Sequence, residues 1–243
     1  MTVPLLSIII PAYNEERRLP GTLEQVFSFL QAQPYSAEAL VVENGSQDHT
    51  YDIAVEFSRR FNNLHVIQSK ERGKGLAVRK GILEATGEYR FMCDADLSMP
   101  IAEVNRFIPP ALKDFEIAIA SREAPGAVRY NEPGYRHFIG RGFNNLIRII
   151  ALPGIQDTQC GFKCFRGEIV NNLFRRQTLT GWSFDVELLF IARGLGYRTV
   201  EVPIPWYFNP ESKVRVVRDS IRMGTDLLAI RLNGCRGMYD QKV

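Results

Sequence analysis

The sequence predicts an α/β fold, a mostly parallel sheet with helices on both faces, folded as one domain. Three observations predict it. Short apolar, β-branched runs recur through the first half of the chain. Each is followed by a stretch whose apolar residues fall at helical spacing. The connections between them are brief, which favours β-α-β crossovers and a parallel sheet.

Leu5–Pro11 reads as a buried strand, because a continuous apolar run suits a sheet covered on both sides. Asn14 is placed to cap the next helix, where Leu19, Leu23, Val26, Phe27 and Leu30 share a face. Glu38–Glu43 is a second strand, ended by the Asn44-Gly45-Ser46 turn. Asp48 or Thr50 then caps a helix bearing Ile53, Ala54, Phe57 and Phe61. Leu64–Gln68 is a third strand, Gly75–Ala85 a helix, and Tyr89–Cys93 a strand that ends at Asp94. A helix over Ile101–Leu112 and a strand at Phe115–Ala120 continue the alternation.

After Ser121 the rhythm changes. Glu123–Pro133 is rich in Pro, Gly and charge and reads as a loop. Helices follow at Tyr135–Ala151 and Phe184–Arg193, and a strand at Thr199–Pro203 precedes Trp206-Tyr207-Phe208. The last helix, Val216–Leu232, sets Val217, Ile221 and Leu228 on one face and Arg218, Asp219 and Arg222 towards another. The chain thus divides into a regular part, residues 1–122, additions over 123–212, and a basic tail over 213–243.

With 243 residues, 45% hydrophobic and 23% charged, the chain can bury a substantial core and is too apolar for a disordered one. A formal net charge of +3 argues against a nucleic-acid binder. The charge is unevenly spread: −3 over residues 1–100, +2 over 101–212 and +4 over 213–243. That asymmetry points to two chemically different ligands at two places. Cys93, Cys160, Cys164 and Cys235 lack zinc spacing and read as small buried thiols in a reducing cytoplasm. The start of the chain lacks the basic residues of a leader peptide, and no apolar run approaches the roughly 18 residues that would span a bilayer. The protein is therefore expected in the cytoplasm, free or peripheral on a membrane.

In open α/β sheets ligands bind beyond the carboxyl ends of the strands. Four polar clusters fall there: Pro11-Ala12-Tyr13-Asn14-Glu15, Glu43-Asn44-Gly45-Ser46, Arg72-Gly73-Lys74-Gly75 and Asp94-Ala95-Asp96. Asp94 and Asp96 are the sharpest signal. Two carboxylates one residue apart repel, and a hard divalent ion such as Mg²⁺ or Mn²⁺ relieves that repulsion. Gly73-Lys74-Gly75 opens a helix and can receive phosphate oxygens, without being a Walker A or dinucleotide fingerprint.

Ser7–Glu15, the Glu43–Ser46 turn with Asp48, and Asp94-Ala95-Asp96 together resemble the family 2 glycosyltransferases of the GT-A fold. Asp157–Lys163 and Trp182–Leu189 resemble the branch of that family making dolichyl- or polyprenyl-phosphate glucose, and the likeness runs from about Leu5 to Asn209. The resemblance implies a nucleotide-sugar donor in the first half, with Pro11, Ala12, Tyr13 and Glu15 lining a nucleoside pocket. Glu43 and Asn44 would face the base or ribose. Asp94, Ala95 and Asp96 would flank diphosphate and metal. The family usually carries a second acid where this chain has Asn44, which leaves the base preference open. Ser98 stands where mannose synthases often place a metal-binding Gln, which favours the glucosyl branch.

The implied reaction is inverting transfer of a hexose, glucose from UDP-glucose, onto a polyprenyl phosphate. GDP-mannose as donor, or a hydroxyl acceptor, is the alternative. Asp96, Arg122 and Lys74 would stabilise the departing diphosphate. A hydroxyl acceptor would need a base, and Asp185 is preferred to Glu187, since the two lie roughly 200° apart around a helix. Arg141 and Lys163 are the candidates for the acceptor phosphate, among Arg129, Arg136 and Arg166. The basic terminal helix would rest on a membrane surface on its cytoplasmic side. Many relatives carry a transmembrane anchor, so a membrane partner chain is a further expectation. The Glu123–Pro133 loop is expected to close over the donor.

Overall fold

The computed structural model describes residues 3–210 and 216–240, with side chains from Arg222 onward in the second range. A seven-stranded sheet forms the centre, in the order β3-β2-β1-β4-β7-β5-β8. Its strands are β1 (Leu6–Ala12), β2 (Ala37–Asn44), β3 (Leu64–Ser69), β4 (Tyr89–Cys93), β5 (Ile117–Ser121), β7 (Phe162–Arg166) and β8 (Thr199–Pro203). All pairings are parallel except the two made by β7, which is antiparallel to both β4 and β5.

Side-chain alternation divides the core between the two sheet faces. Ile8, Ile10 and Val41 pack with α1 (Leu19–Gln31) and α2 (Thr50–Arg60). Ile9, Leu40 and Val42 join the opposite layer with α3 (Lys74–Glu84), α5 (Gly167–Phe174) and α6 (Phe184–Gly194). Burial on both faces is what makes these strands apolar throughout rather than alternating. The approach is closest at Gly81 on α3, where a Cβ would lie 2.5 Å from Ile9 Cγ2 and 2.7 Å from Val42 Cγ2.

Four expectations are corrected. The helix over Ile101–Leu112 is a single 3₁₀ segment, Ile101–Arg106, cut short ahead of Pro109-Pro110, whose nitrogens carry no hydrogen to continue it. Asn14 does not cap α1: it has a positive φ of 52°, its Oδ1 accepts from Gln47 N, and its own N donates to Ser46 Oγ. Glu123–Pro133 contains a strand, β6 (Val128–Tyr130), paired in parallel with β9 (Pro205–Tyr207) and sealed by stacked Tyr130 and Tyr207 rings. The strand β7 and helix α5 occupy a stretch where no element is expected from the sequence.

Two helices complete the molecule, α4 (Gly134–Ile150) and α7 (Val216–Cys235). On α7 the expected apolar face is rotated: Leu227 and Ile230 are buried, whereas Leu228 points outward beside Leu232. Val217, Arg218, Asp219 and Ile221 lie outside the described side chains. All four cysteines are free thiols; Cys93, Cys160 and Cys164 are buried, and Cys235, expected inside, is exposed. Among the described residues, no helix is long and apolar enough to cross a membrane.

Candidate active site

The carboxyl ends of β1, β2 and β4 bring the polar clusters to one edge of the sheet. The β1 and β2 turns are bound to each other. Glu15 N donates to Thr50 Oγ1 (2.7 Å), and Glu16 N to Asp48 Oδ2 (3.1 Å). Asp48 Oδ1 also accepts from Thr50 N at 3.0 Å, which caps α2. Glu15 itself holds Arg18 through two hydrogen bonds, and the Arg72 guanidinium sits 4.3 Å above the Tyr13 ring. Pro11 and Ala12 close β1, with Ala12 buried.

Glu43 and Asn44, expected to face base or ribose, are both buried in the turn. Glu43 accepts from Ser46 N, and Asn44 Oδ1 accepts from Gly73 N at 3.0 Å. Glu43 thus closes the β2 turn on itself, and Asn44 ties that turn to the start of α3. Ala95 is buried too, its carbonyl accepting from Thr22 Oγ1 at 2.6 Å.

The centre of the edge is a cavity of about 270 Å³. Asp94, Asp96, Lys74, Asp185, Ser98 and Trp182 are among the residues that line it. Lys74 Nζ lies 2.7 and 2.9 Å from the two oxygens of Asp94 and 5.1 Å from the Trp182 ring centroid. Burial alone would push the Lys74 ammonium down, but Asp94 and then Asp185 more than offset it and hold it above its ordinary value. Asp96 accepts from Ser98 N at 3.0 Å. Burial first, and the Asp94 charge second, push its carboxyl above the usual range.

The antiparallel pairing of β7 with β4 sets Gly161 directly against Asp94, whose N donates to Gly161 O. A Cβ at Gly161 would fall 1.8 Å from Asp94 Oδ2. Gly161→Ala is therefore expected to displace Asp94 and cost roughly 10²-fold or more in turnover, since misplacing a site group by about 1 Å has that effect. Wild-type kcat in this variant would contradict the placement of Asp94.

Lys163, expected to meet an acceptor, is about 1% exposed, and its Nζ lies 2.8 Å from Asp185 Oδ1. It also donates to Cys160 O. Pairing with Asp185 and walled in by β4 and β5, it supports the site from beneath and is unavailable to an acceptor. Burial pushes the Asp185 carboxyl up, against the pull of Lys163 and Lys74. Two residues on, Glu187 turns away and accepts from Thr178 N, Leu179 N and Tyr239 Oη.

Arg122, at the end of β5, is committed to Asp157. Its Nε and Nη2 donate to the carboxylate at 2.7 and 2.9 Å, and its backbone N adds a third bond at 2.9 Å. Burial would raise Asp157, but Arg122 overcomes that and holds it at about 2. Glu201 on β8 in turn accepts from the backbone nitrogens of Gln156 and Asp157. Arg122 reaches the cavity wall beside Trp206, already paired and not a free cation.

The same cavity has an apolar and aromatic part to its lining: Ile139 and Phe143 from α4, Trp206, Phe208 and Met223. Arg136, not Arg141, reaches it, stacked 5.0 Å from the Phe208 ring centroid. Arg141 sits on the exposed surface of α4. That surface is unusual, because Tyr135, Phe138 (80% exposed), Leu146 and Ile149 (83% exposed) form one outward apolar stripe. No sequence signal separates this arrangement from an ordinary core-packing helix.

A family model, Glycosyl transferase family 2, matches residues 7–174, from β1 through the last residue of α5. The chain belongs to this family. The glycosyltransferase is 33% identical over 249 residues to a dolichyl-phosphate beta-glucosyltransferase of Homo sapiens, covering 96% of this chain and 77% of the relative. It is 35% identical to that of Drosophila melanogaster (93% and 74% covered) and 32% to that of Saccharomyces cerevisiae (96% and 76%). Among solved structures, glucosyl-3-phosphoglycerate synthase from Mycobacterium tuberculosis, in complex with Mn²⁺ and uridine-diphosphate-glucose, superposes with a TM-score of 0.66. It is 15% identical, with 94% of this chain and 79% of that one covered. This glycosyltransferase therefore has the GT-A fold, a mostly parallel sheet flanked by helices.

Proposed function

We propose that this glycosyltransferase moves glucose from UDP-glucose, with inversion, onto a polyprenyl phosphate at a lipid surface. One observation carries the reading: a single cavity is lined both by a carboxylate pair with Lys74 and by apolar and aromatic side chains with Arg136 among them. The first group suits a diphosphate with its counter-ion and the second a phosphate carried on a hydrocarbon chain. The relatives named as dolichyl-phosphate beta-glucosyltransferases support the same pair of substrates.

The residues present fit a divalent metal whose shell the substrate completes. The cavity is lined by four carboxylates, Asp94, Asp96, Glu132 and Asp185, against three cations, of which Arg122 is already paired. Among the described residues, no group of three or more His, Cys, Asp or Glu stands ready to hold an ion alone. Asp94 and Asp96 would hold Mg²⁺ or Mn²⁺, with diphosphate and water as the remaining ligands. Such an ion neutralises charge on a leaving diphosphate.

The protein's own groups do the rest. Lys74, opening α3, receives diphosphate oxygens through its ammonium. Arg136 receives the acceptor phosphate. Its oxygen forms the new bond to the anomeric carbon as the bond to the diphosphate breaks and that electron pair leaves with UDP. A phosphate is already anionic near neutral pH, so Asp185 is not needed as a base. Asp185, held by Lys163, instead keeps Lys74 charged and in position. The clusters at 11–15 and 43–46 shape the nucleoside end by fixing the backbone. The strand pair β6–β9 holds Trp206 of the aromatic lining in place.

The α4 stripe is the face we assign to the lipid surface, with Arg141 and Arg148 beside it for anionic headgroups. Four free thiols fit a reducing compartment, which supports a position on the cytoplasmic side. Flotation with vesicles containing anionic phospholipid tests this: Phe138→Glu with Ile149→Glu is expected to release the protein while UDP binding persists. Unchanged flotation would remove α4 from that role. For the donor, calorimetry with Mn²⁺ is expected to show UDP binding at least about tenfold tighter than GDP, a difference of about 1.4 kcal/mol. Preference for GDP would favour the mannosyl alternative.

A further inference from the structure

Lys74 and a divalent cation have claims on the same two oxygens. The ammonium lies across both oxygens of Asp94, 2.7 Å from Oδ1 and 2.9 Å from Oδ2. Asp94 has no room to move towards Gly161, whose backbone it abuts so closely that a methyl group there would sit 1.8 Å from Oδ2. The backbone on the Lys74 side is fixed as well. A Cβ at Gly73 would meet Thr180 O at 2.5 Å, and one at Gly75 would meet Phe184 Cβ at 2.6 Å. Gln177 Nε2 bonds Gly75 O at 3.0 Å, which adds a further tie. What can move is the lysine side chain, four methylenes ending beside the Trp182 ring and in the field of Asp185.

We propose that Lys74 is a resident competitor for the metal-binding edge of Asp94, and that it makes metal binding depend on the nucleoside diphosphate. The proposal rests on the reading that Asp94 and Asp96 hold a divalent ion. An ammonium and a divalent ion cannot share one carboxylate edge without strong repulsion. A metal arriving alone must therefore displace Lys74 from its best partner and leave a cation poorly paired in a mostly buried site. A diphosphate removes that cost by offering Lys74 new anionic oxygens at the start of α3, a short swing from Asp94. Metal and nucleotide then bind with positive coupling, part of which is stored in the Lys74–Asp94 pair. The consequence is a site that resists loading with metal until the donor is present.

Electron paramagnetic resonance of Mn²⁺, which reads the free ion, tests this without any turnover. In the wild-type protein, saturating UDP is expected to tighten Mn²⁺ binding by about tenfold or more. Lys74→Met is expected to bind Mn²⁺ alone about tenfold tighter than wild type and to lose a similar factor of the coupling to UDP. Lys74→Arg, which keeps a cation on Asp94, should retain weak binding of Mn²⁺ alone. Should the Met variant fail to fold, Lys74→Gln removes the charge while keeping a donor on Asp94 and gives the same reading. Wild-type protein that binds no Mn²⁺ even with UDP would overturn the metal-site reading itself. Wild-type protein that binds Mn²⁺ with UDP, beside a charge-free Lys74 variant whose affinity for Mn²⁺ alone is unchanged, would overturn this inference and leave that reading standing.

Discussion

Asp96→Asn is expected to lower glucosyl transfer by roughly 10²–10³-fold, the scale seen when one preorganised group opposite developing charge is removed. The same change is expected to raise Tm at pH 7 when no metal is added. The sign follows from the environment. Burial and the Asp94 charge raise the Asp96 carboxyl above its ordinary value, so its ionised form costs stability in the folded protein. That cost is absent at low pH and grows as pH rises through the raised value. Asparagine keeps the shape and the bond from Ser98 N while removing the charge. Activity and stability should therefore move in opposite directions, as expected where a site holds like charges for function. A variant that is less stable yet fully active would contradict this assignment.

Asp157→Asn has the second large effect, and it falls on the fold. Asp157 is wholly buried and receives three hydrogen bonds from Arg122, so the substitution strands a guanidinium inside the protein. Breaking a buried pair on one side costs about 3–5 kcal/mol. For a chain of this size that corresponds to a fall in Tm of roughly 6–20 °C. The pH dependence is signed as well. Asp157 is held at about 2, below its ordinary value of 3.8, so its contribution is complete above that ordinary value. It is lost as pH falls from near 4 towards 2. Thermal melts between pH 7 and 2.5 should show wild type converging on the variant at the acid end. Parallel melting curves across that range would show that the pair contributes nothing.

The β-α alternation from β1 to β5 was legible because β1, β2 and β5 are buried on both faces and so are largely apolar, with β3, whose His65 and Gln68 are exposed, as the exception. The strand β7 was not. Its Lys163 breaks the apolar run, and its burial is made tolerable by Asp185, a partner 22 residues away that no local window reveals. The strands β6 and β9 are three residues each and too short for a period to register. Placing polar clusters beyond the strand ends pointed to the sheet edge where the cavity lies. It did not reveal which of them face the cavity. Asp94, Asp96 and Lys74 do, whereas Glu43 and Asn44 spend their polar atoms on the turn and on Gly73. That Arg136 lines the cavity rather than Arg141 was hidden for a related reason. The two lie five residues apart on α4, and helix phase decides which of them meets Phe208 in the cavity.

The outward stripe of α4 bears on the same lesson. Hydrophobic periodicity is equally strong for a helix that packs on a core and for one that packs on something else. The structure shows Asn144 and Ile147 facing inward while Phe138 and Ile149 face outward, an arrangement a sequence window cannot orient.

The central claim is that one cavity joins a nucleotide-sugar site to a lipid-phosphate site. It is tested most directly by incubating the protein with radiolabelled UDP-glucose, Mn²⁺ and a short-chain polyprenyl phosphate, then counting label extracted into organic solvent and identifying the product by mass spectrometry. The account predicts a mild-acid-labile polyprenyl-phosphate glucose, formed by wild type and lost in Asp96→Asn. Label transferred to a sugar or peptide hydroxyl, with none on the lipid phosphate, would contradict it.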